Sequence, residues 1–408
     1  MNRSIVTRTF TTIRLYRDYR FFWMGSWTEH LGEWMEITAL LWLINDLTHS
    51  PLMGTLLISL RFLPMVVFAF IGGIVADRMN RRTLLIYALV ASAIFSLLLA
   101  VLVHTRFLAA WHLLVYSALT GVYTSFNHPA RNTLLPNLVR KEHLMNAITL
   151  DNASVMVSRI VGAPLAGLII ELFGTTPVLG LRAVGAIVAI IWLSRIDAPA
   201  TAAAPVKATP FNNFVEGIHY VGENRAVLTQ VLLYLLPFFV MNSYTGLLPN
   251  YATDVLHIGP DLFGVLNAAP GIGSVIAVLV LASFVNVQRK SFLLVLAGIF
   301  QGILLIVFVF SPYYALSLLL LIIVGGASTL FMILNNTIIQ EMLPDHVRGR
   351  VMSLREVAMG LGPSGSLVSG FIAGLLTVSI ALGITGGISI VVLAVILMAF
   401  PRSRLSKE

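Results

Sequence analysis

Cysteine is absent from the chain and charge is scarce. No cysteine means no disulfide, no thiolate metal site and no iron–sulfur cluster. Only 11% of the 408 residues are charged, against about 25% in soluble domains. The sequence lacks the phosphate-binding pattern G-x-x-x-x-G-K-[ST], so direct use of ATP is not expected. G-x-S-x-G and H-E-x-x-H are missing too, and we expect neither an enzyme nor a resident cofactor or metal. The first twenty residues hold Arg3, Arg8, Arg14, Arg17 and Arg20 and no apolar core. A cleavable signal is therefore not expected, and the first membrane helix is expected to do the targeting.

What the chain has is hydrophobicity. Apolar residues make up 58% of it, and the mean hydropathy is +0.90. Apolar runs long enough to cross about 30 Å of hydrocarbon recur over 21–45, 53–76, 83–104, 107–128, 147–170, 175–194, 226–248, 262–284, 291–310, 313–338, 354–376 and 380–400. An all-α membrane protein with twelve spans follows. Arg78, Arg81, Arg82, Arg131, Arg140, Lys141, Arg195, Lys207, Arg225, Arg289, Lys290, Arg348, Arg350, Arg402, Arg404 and Lys407 fall in one set of loops or at the ends. The opposite set carries only Arg106, which places both termini in the cytoplasm by the positive-inside rule. The net charge of +8 is then an orientation signal, and nucleic acid is not an expected partner. The outward loops are short except Pro249 to Asp261.

One long connection, 197–223, opens with an Ala/Pro stretch and continues as FNNFVEGIHYVGENR, a helix expected to lie along the membrane surface. It divides an N-terminal bundle, 1–196, from a C-terminal one, 224–408. The halves look like a repeat. Pro136 to Arg140 (PNLVR) and Pro344 to Arg348 (PDHVR) lie 208 positions apart, as do Arg81-Arg82 and Arg289-Lys290. Gly162 to Gly167 (GAPLAG) is echoed loosely by Gly362 to Gly365 (GPSG). Six helices plus six, with a substrate site near the midplane, is the expected organisation.

These residues resemble the major facilitator superfamily. Gly72-Gly73-Ile-Val-Ala-Asp77-Arg78-Met-Asn-Arg81-Arg82 is similar to its signature loop between the second and third spans, with Asn80 in place of the usual second glycine. Asn tolerates a left-handed turn, so the loop is expected to survive the change. More narrowly, Tyr19 to Trp23, Gly32 to Trp34, Leu47 to Pro51, Arg61 to Pro64 and Leu343 to Val351 resemble the enterobactin-exporter and macrolide-efflux branch. The resemblance implies alternating access by two rocking bundles and export driven by the proton gradient. It also implies a latch in which Asp77, within Gly73, Asp77, Arg78, Arg81 and Arg82, meets the cytoplasmic end of the eleventh helix. The dipole of that helix start would favour an anion. Gly162, Pro164 and Gly167 resemble the antiporter motif of the fifth helix, although small residues and a proline serve plain helix packing equally well.

The first span is the anomaly. It carries Glu29, His30, Glu33 and Glu36, and spacings of four and three put the carboxylates along one helical face. Each charge at membrane depth costs at least about 2.5 kcal/mol on insertion scales. At a rise of 1.5 Å per residue, Glu36 and Arg61 both lie about 14 Å from the outer ends of their spans, so a structural Glu36–Arg61 pair is expected. Glu33 matches the depth of Arg159 in the fifth span, and that pair is expected to switch, with burial and the cation pulling the carboxylate's proton affinity in opposite directions. Glu29 has no evident cationic partner. His30 is a relay or, more ordinarily, a satisfied packing residue. Asp151 reads as a solvated or capping group, and Glu171 and Arg182 as structural groups near the outer surface.

Proton coupling is accordingly assigned to Glu33, Glu29 and Arg159. Substrate binding is assigned to Glu29, Glu33, Asn242, Tyr244, Asn267 and Asn335, the last four set among the many Phe and Met residues of an adaptable apolar wall. The expected protein is a monomeric, proton-coupled exporter of amphipathic small molecules in a bacterial inner membrane, with lipid as its surroundings. A metal or organic-cation transporter using Glu29 and Glu33 is one alternative, and a non-transporting scaffold or sensor another. Four convincing metal ligands are not assembled.

Overall fold

A computed structural model describes residues 10–197, 210–241, 244–283 and 289–399. Among these residues every regular element is a helix. The N-terminal part comprises α1 (Thr11–Leu15), α2 (Arg17–Thr48), α3 (Pro51–Arg78), α4 (Arg81–His104), α5 (Ala110–Leu134), α6 (Leu144–Phe173) and α7 (Thr176–Ser194). Then come α8 (Pro210–Glu223), α9 (Arg225–Met241), α10 (Tyr244–Asp254), α11 (Pro260–Ala282), α12 (Lys290–Val309) and α13 (Tyr314–Met342). The chain closes with α14 (Asp345–Leu361), α15 (Ser366–Leu375) and α16 (Val378–Ala399). Among the described residues, eight stretches are long and apolar enough to cross a membrane, in α3, α4, α6, α7, α11, α12, α13 and α16. α2 falls short on composition, as the polar residues along it would suggest.

The contacts divide the chain into two compact units. One is Met1–Leu43, Val67–Val206 and Pro260–Ala268; the other is Ile44–Val66, Lys207–Gly259 and Ala269–Glu408. The first unit has a core around Tyr19, Phe22, Leu89, Leu134 and Ala189. The second holds a cluster around Leu233, Leu294, Phe331 and Leu393.

Local chemistry explains several boundaries, and some differ from the sequence expectation. Asn80 is extended (φ −61°, ψ 119°), not left-handed, and its side chain caps α4 by accepting from the Arg82 and Thr83 amides. The left-handed residue occurs at the equivalent loop of the second half, where Arg289 has φ 55°. Arg81 donates to the Thr133 carbonyl at 3.0 Å, and Arg82 to those of Leu193 (2.9 Å) and Ser194, so both cations sit on the C-terminal carbonyls of α5 and α7. The run at 226–248 is described as α9 and α10, and Pro249 lies inside α10 rather than opening a loop. The run at 354–376 starts earlier, at Asp345, and is interrupted by a 3-10 turn at Gly362–Gly365. α8 is the expected linker helix. Glu216 on it pairs with Arg350 of α14 at 2.7 Å, and Val215 and Ile218 are left exposed.

Candidate functional site

α2 can carry its charges because glycine lets neighbours come close. A Cβ on Gly32 would sit 3.2 Å from Cδ of Arg182, and one on Gly162 would sit 3.0 Å from the Leu31 carbonyl. Tyr19 donates to the Ala147 carbonyl (2.8 Å) and Trp23 to the Leu150 carbonyl (3.1 Å), which fixes α2 against α6 beside Asp151.

Glu29 does have a cationic partner, contrary to the sequence reading. Its Oε1 accepts from the Tyr123 hydroxyl and from Asn127 Nδ2 (3.0 Å), and its Oε2 lies 3.5 Å from Arg131 Nη1. Arg131 also grips Asp151 at 2.8 Å through Nη2, so Asp151 is not a solvated cap. The side chains of Glu29, Arg131 and Asp151 are only 10%, 7% and 15% exposed. The physical reason is helix length: α5 continues past the expected end at 128 to Leu134, which turns Arg131 from a loop cation into a buried one. The spacing was readable, since Tyr123, Asn127 and Arg131 recur every four residues and so share one face.

Next along α2, His30 Nδ1 is 3.6 Å from Glu33 Oε2. Both His30 ring nitrogens are buried and make no hydrogen bond among the described residues, so His30 is not a satisfied packing residue. His128 of α5 lies within electrostatic reach of Glu33, Arg131, His30 and Glu29. Arg159 places its guanidinium 4.7 Å from the Trp34 ring centroid and donates at 3.4 Å to the Asn267 carbonyl. Asn267 in turn donates to Thr38 at 3.0 Å.

Glu36 is fully buried and meets Arg182 Nε at 2.8 Å, with both side chains 0% exposed. Arg182 therefore lies in the protein interior and holds the most buried carboxylate of the ladder. Arg61 is buried as well.

A family model described as "transmembrane secretion effector", of the major facilitator type, matches residues 9–407. The chain belongs to this family of major facilitator transporters. The staphyloferrin A transporter of Staphylococcus aureus is 22% identical over 361 residues, 86% of this chain and 88% of that protein. Macrolide efflux protein A of Streptococcus pyogenes is 24% identical over 359 residues, covering 86% and 88%. An enterobactin exporter of Citrobacter koseri is 22% identical over 358 residues, covering 87% and 85%. Among solved structures, a POT family transporter in complex with 5-aminolevulinic acid aligns with a TM-score of 0.78 at 12% identity, over 95% of this chain and 97% of that one. The fold is that of a multi-pass major facilitator transporter.

The family's other expected residues are placed as follows. Gly162 packs α6 on α2, and Gly167 packs it on α11, where a Cβ would lie 3.0 Å from the Asp261 carbonyl; Pro164 sits inside α6 between them. Asn335 is fully buried and donates to the carbonyl (3.0 Å) and side-chain oxygen (3.3 Å) of Gln230. Tyr244 is buried at the start of α10. Asn242 lies outside the described residues, as do the side chains of Asp77 and Arg78 of the latch, and the burial of Gly73 is not described either. Among the described residues, no group of three or more His, Asp or Glu is placed to hold a metal ion.

Proposed function

We propose that the protein is a proton-coupled exporter of amphipathic small molecules, working by alternating access between two six-helix bundles, 1–196 and 224–408, joined by 197–223. It works in a bacterial inner membrane as a monomer with both termini cytoplasmic, needs no cofactor beyond the proton gradient, and takes macrolide-like or siderophore-like substrates, as the names of its relatives suggest. The observation that carries this reading is the two-part polar network on α2. Glu29 and Asp151 share the single Arg131 guanidinium in a hydrogen-bonded chain, which favours a held geometry. Glu33 lies beside His30, a group able to exchange protons.

Glu33 is therefore the coupling carboxylate, with Arg159 as its partner in another state of the cycle. Glu29, Glu33, Asn242, Tyr244, Asn267 and Asn335 are the proposed substrate-binding residues. Glu36 and Arg61 are structural groups, Glu36 being held by Arg182. The Asp77 latch belongs to the same cycle. A metal-transporting reading gains no support from Glu29, whose oxygens are engaged by Tyr123, Asn127 and Arg131.

The test is transport in liposomes with an imposed pH gradient, screened with cationic dyes, macrolides and siderophores. We expect gradient-dependent flux in the parent and a flux indifferent to the gradient in Glu33→Gln. Gradient-independent flux in the parent would remove proton coupling.

A further inference from the structure

At the end of the second unit where α9 and α12 begin and α16 ends, a crevice of about 410 Å³ opens between the three helices. α16 packs on both α9 and α12, whereas α9 and α12 barely touch each other, and the gap between them is the crevice. Its walls combine polar and apolar side chains. Thr229, Gln230 and Ser291 lie within about a turn or so of the helix starts, while Phe292, Val295 and Leu397 make the apolar part. Gln230 is 4% exposed. Its side-chain oxygen accepts from Asn335 at 3.3 Å, and its amide nitrogen remains a potential donor beside the Thr229 and Ser291 hydroxyls.

Two exposed cations lie close in sequence to the lining residues. Arg225 is one turn before Thr229, and Arg289 is two residues before Ser291; neither forms an ion pair with any described residue. Lys290 beside them is occupied by Glu341 at 2.5 Å. A largely apolar slot with an amide in its wall, on helices that begin at or just after two exposed arginines, matches an amphiphile with an anionic head and a hydrocarbon tail. Arginine gives bidentate contacts to phosphate oxygens, and the crevice lies on helices expected to be surrounded by lipid.

We propose that this crevice is a binding site for an anionic phospholipid, with the phosphate between Arg225 and Arg289, a polar group near the ester linkage on Gln230, and an acyl chain along Val295 and Leu397. The site lies outside the carboxylate network on α2 and does not depend on the coupling chemistry proposed above.

The experiment is native mass spectrometry of the full chain released from detergent with phosphatidylglycerol or phosphatidylcholine. The parent should retain one phosphatidylglycerol in preference to phosphatidylcholine. Arg225→Gln combined with Arg289→Asn should abolish the preference, at about fivefold per basic residue removed; asparagine keeps the left-handed turn at 289. Val295→Trp should fill the slot and lower retention of both lipids. Equal retention of the two lipids by the parent would overturn the proposal, as would an unchanged preference in the arginine variant. Displacement of bound lipid by a transported dye at equal occupancy would also overturn it, by making the crevice a substrate site.

Discussion

At the scale of single residues, the buried arginines decide what the glutamates do. Removing Arg131 leaves Glu29 and Asp151 as buried carboxylates without their cation, a change that typically costs about 3–5 kcal/mol. Arg131→Ala should therefore lower the unfolding temperature in detergent, and adding Glu29→Gln and Asp151→Asn should recover part of the loss. A single variant as stable as the parent would show that the network has little structural weight. The same argument applies to the fully buried Glu36–Arg182 pair. Arg182→Leu alone should destabilise the protein by a similar amount, whereas Arg182→Leu with Glu36→Leu should be much closer to the parent. Thermal unfolding of both variants checks this, and equal losses would mean that packing rather than charge dominates. The ladder itself was readable from spacings of four and three on one helix. Its partners were not, because burial of Arg131 depends on where α5 ends and burial of Arg182 on how α7 packs against Gly32.

At the scale of elements, glycine seams set how closely helices approach. Around Gly167 the backbones of α6 and α11 are in contact, with Gly264 and the Pro260 and Asp261 carbonyls against the missing side chain. Gly167→Leu should therefore abolish transport and broaden the size-exclusion profile. Gly180→Ala is the control, since nothing lies within 4 Å of its added methyl. A transport-competent Gly167→Leu would mean that this seam is dispensable. Arg81 and Arg82 act at the same scale, as cations on helix C-termini whose side chains hold α5 and α7 to the start of α4. The sequence reading assigned them to a latch; their described contacts are these carbonyls.

At the scale of the whole molecule, alternating access predicts that some neighbouring pairs must separate. Ser59 of α3 and Ser366 of α15 have hydroxyl oxygens 3.3 Å apart, and Ser59 also donates to the Pro363 carbonyl at 3.1 Å. Because the native chain has no cysteine, Ser59→Cys with Ser366→Cys gives a clean cross-linking pair. Oxidation should stop transport and reductant should restore it. Undiminished transport by the fully cross-linked protein would exclude a cycle in which these helices part. The sequence by itself determined the solvent: with 58% apolar residues, few charges and runs of membrane length, the backbone has to satisfy its hydrogen bonds within helices. It also marked the first span as the place where charge enters the apolar interior. Only the tertiary structure decided which charges meet. Ion pairing needs atoms within about 4 Å, and sequence spacing sets that distance along one helix but not between helices. So Glu29 meets Arg131 and Glu36 meets Arg182, pairings 102 and 146 residues apart in the chain.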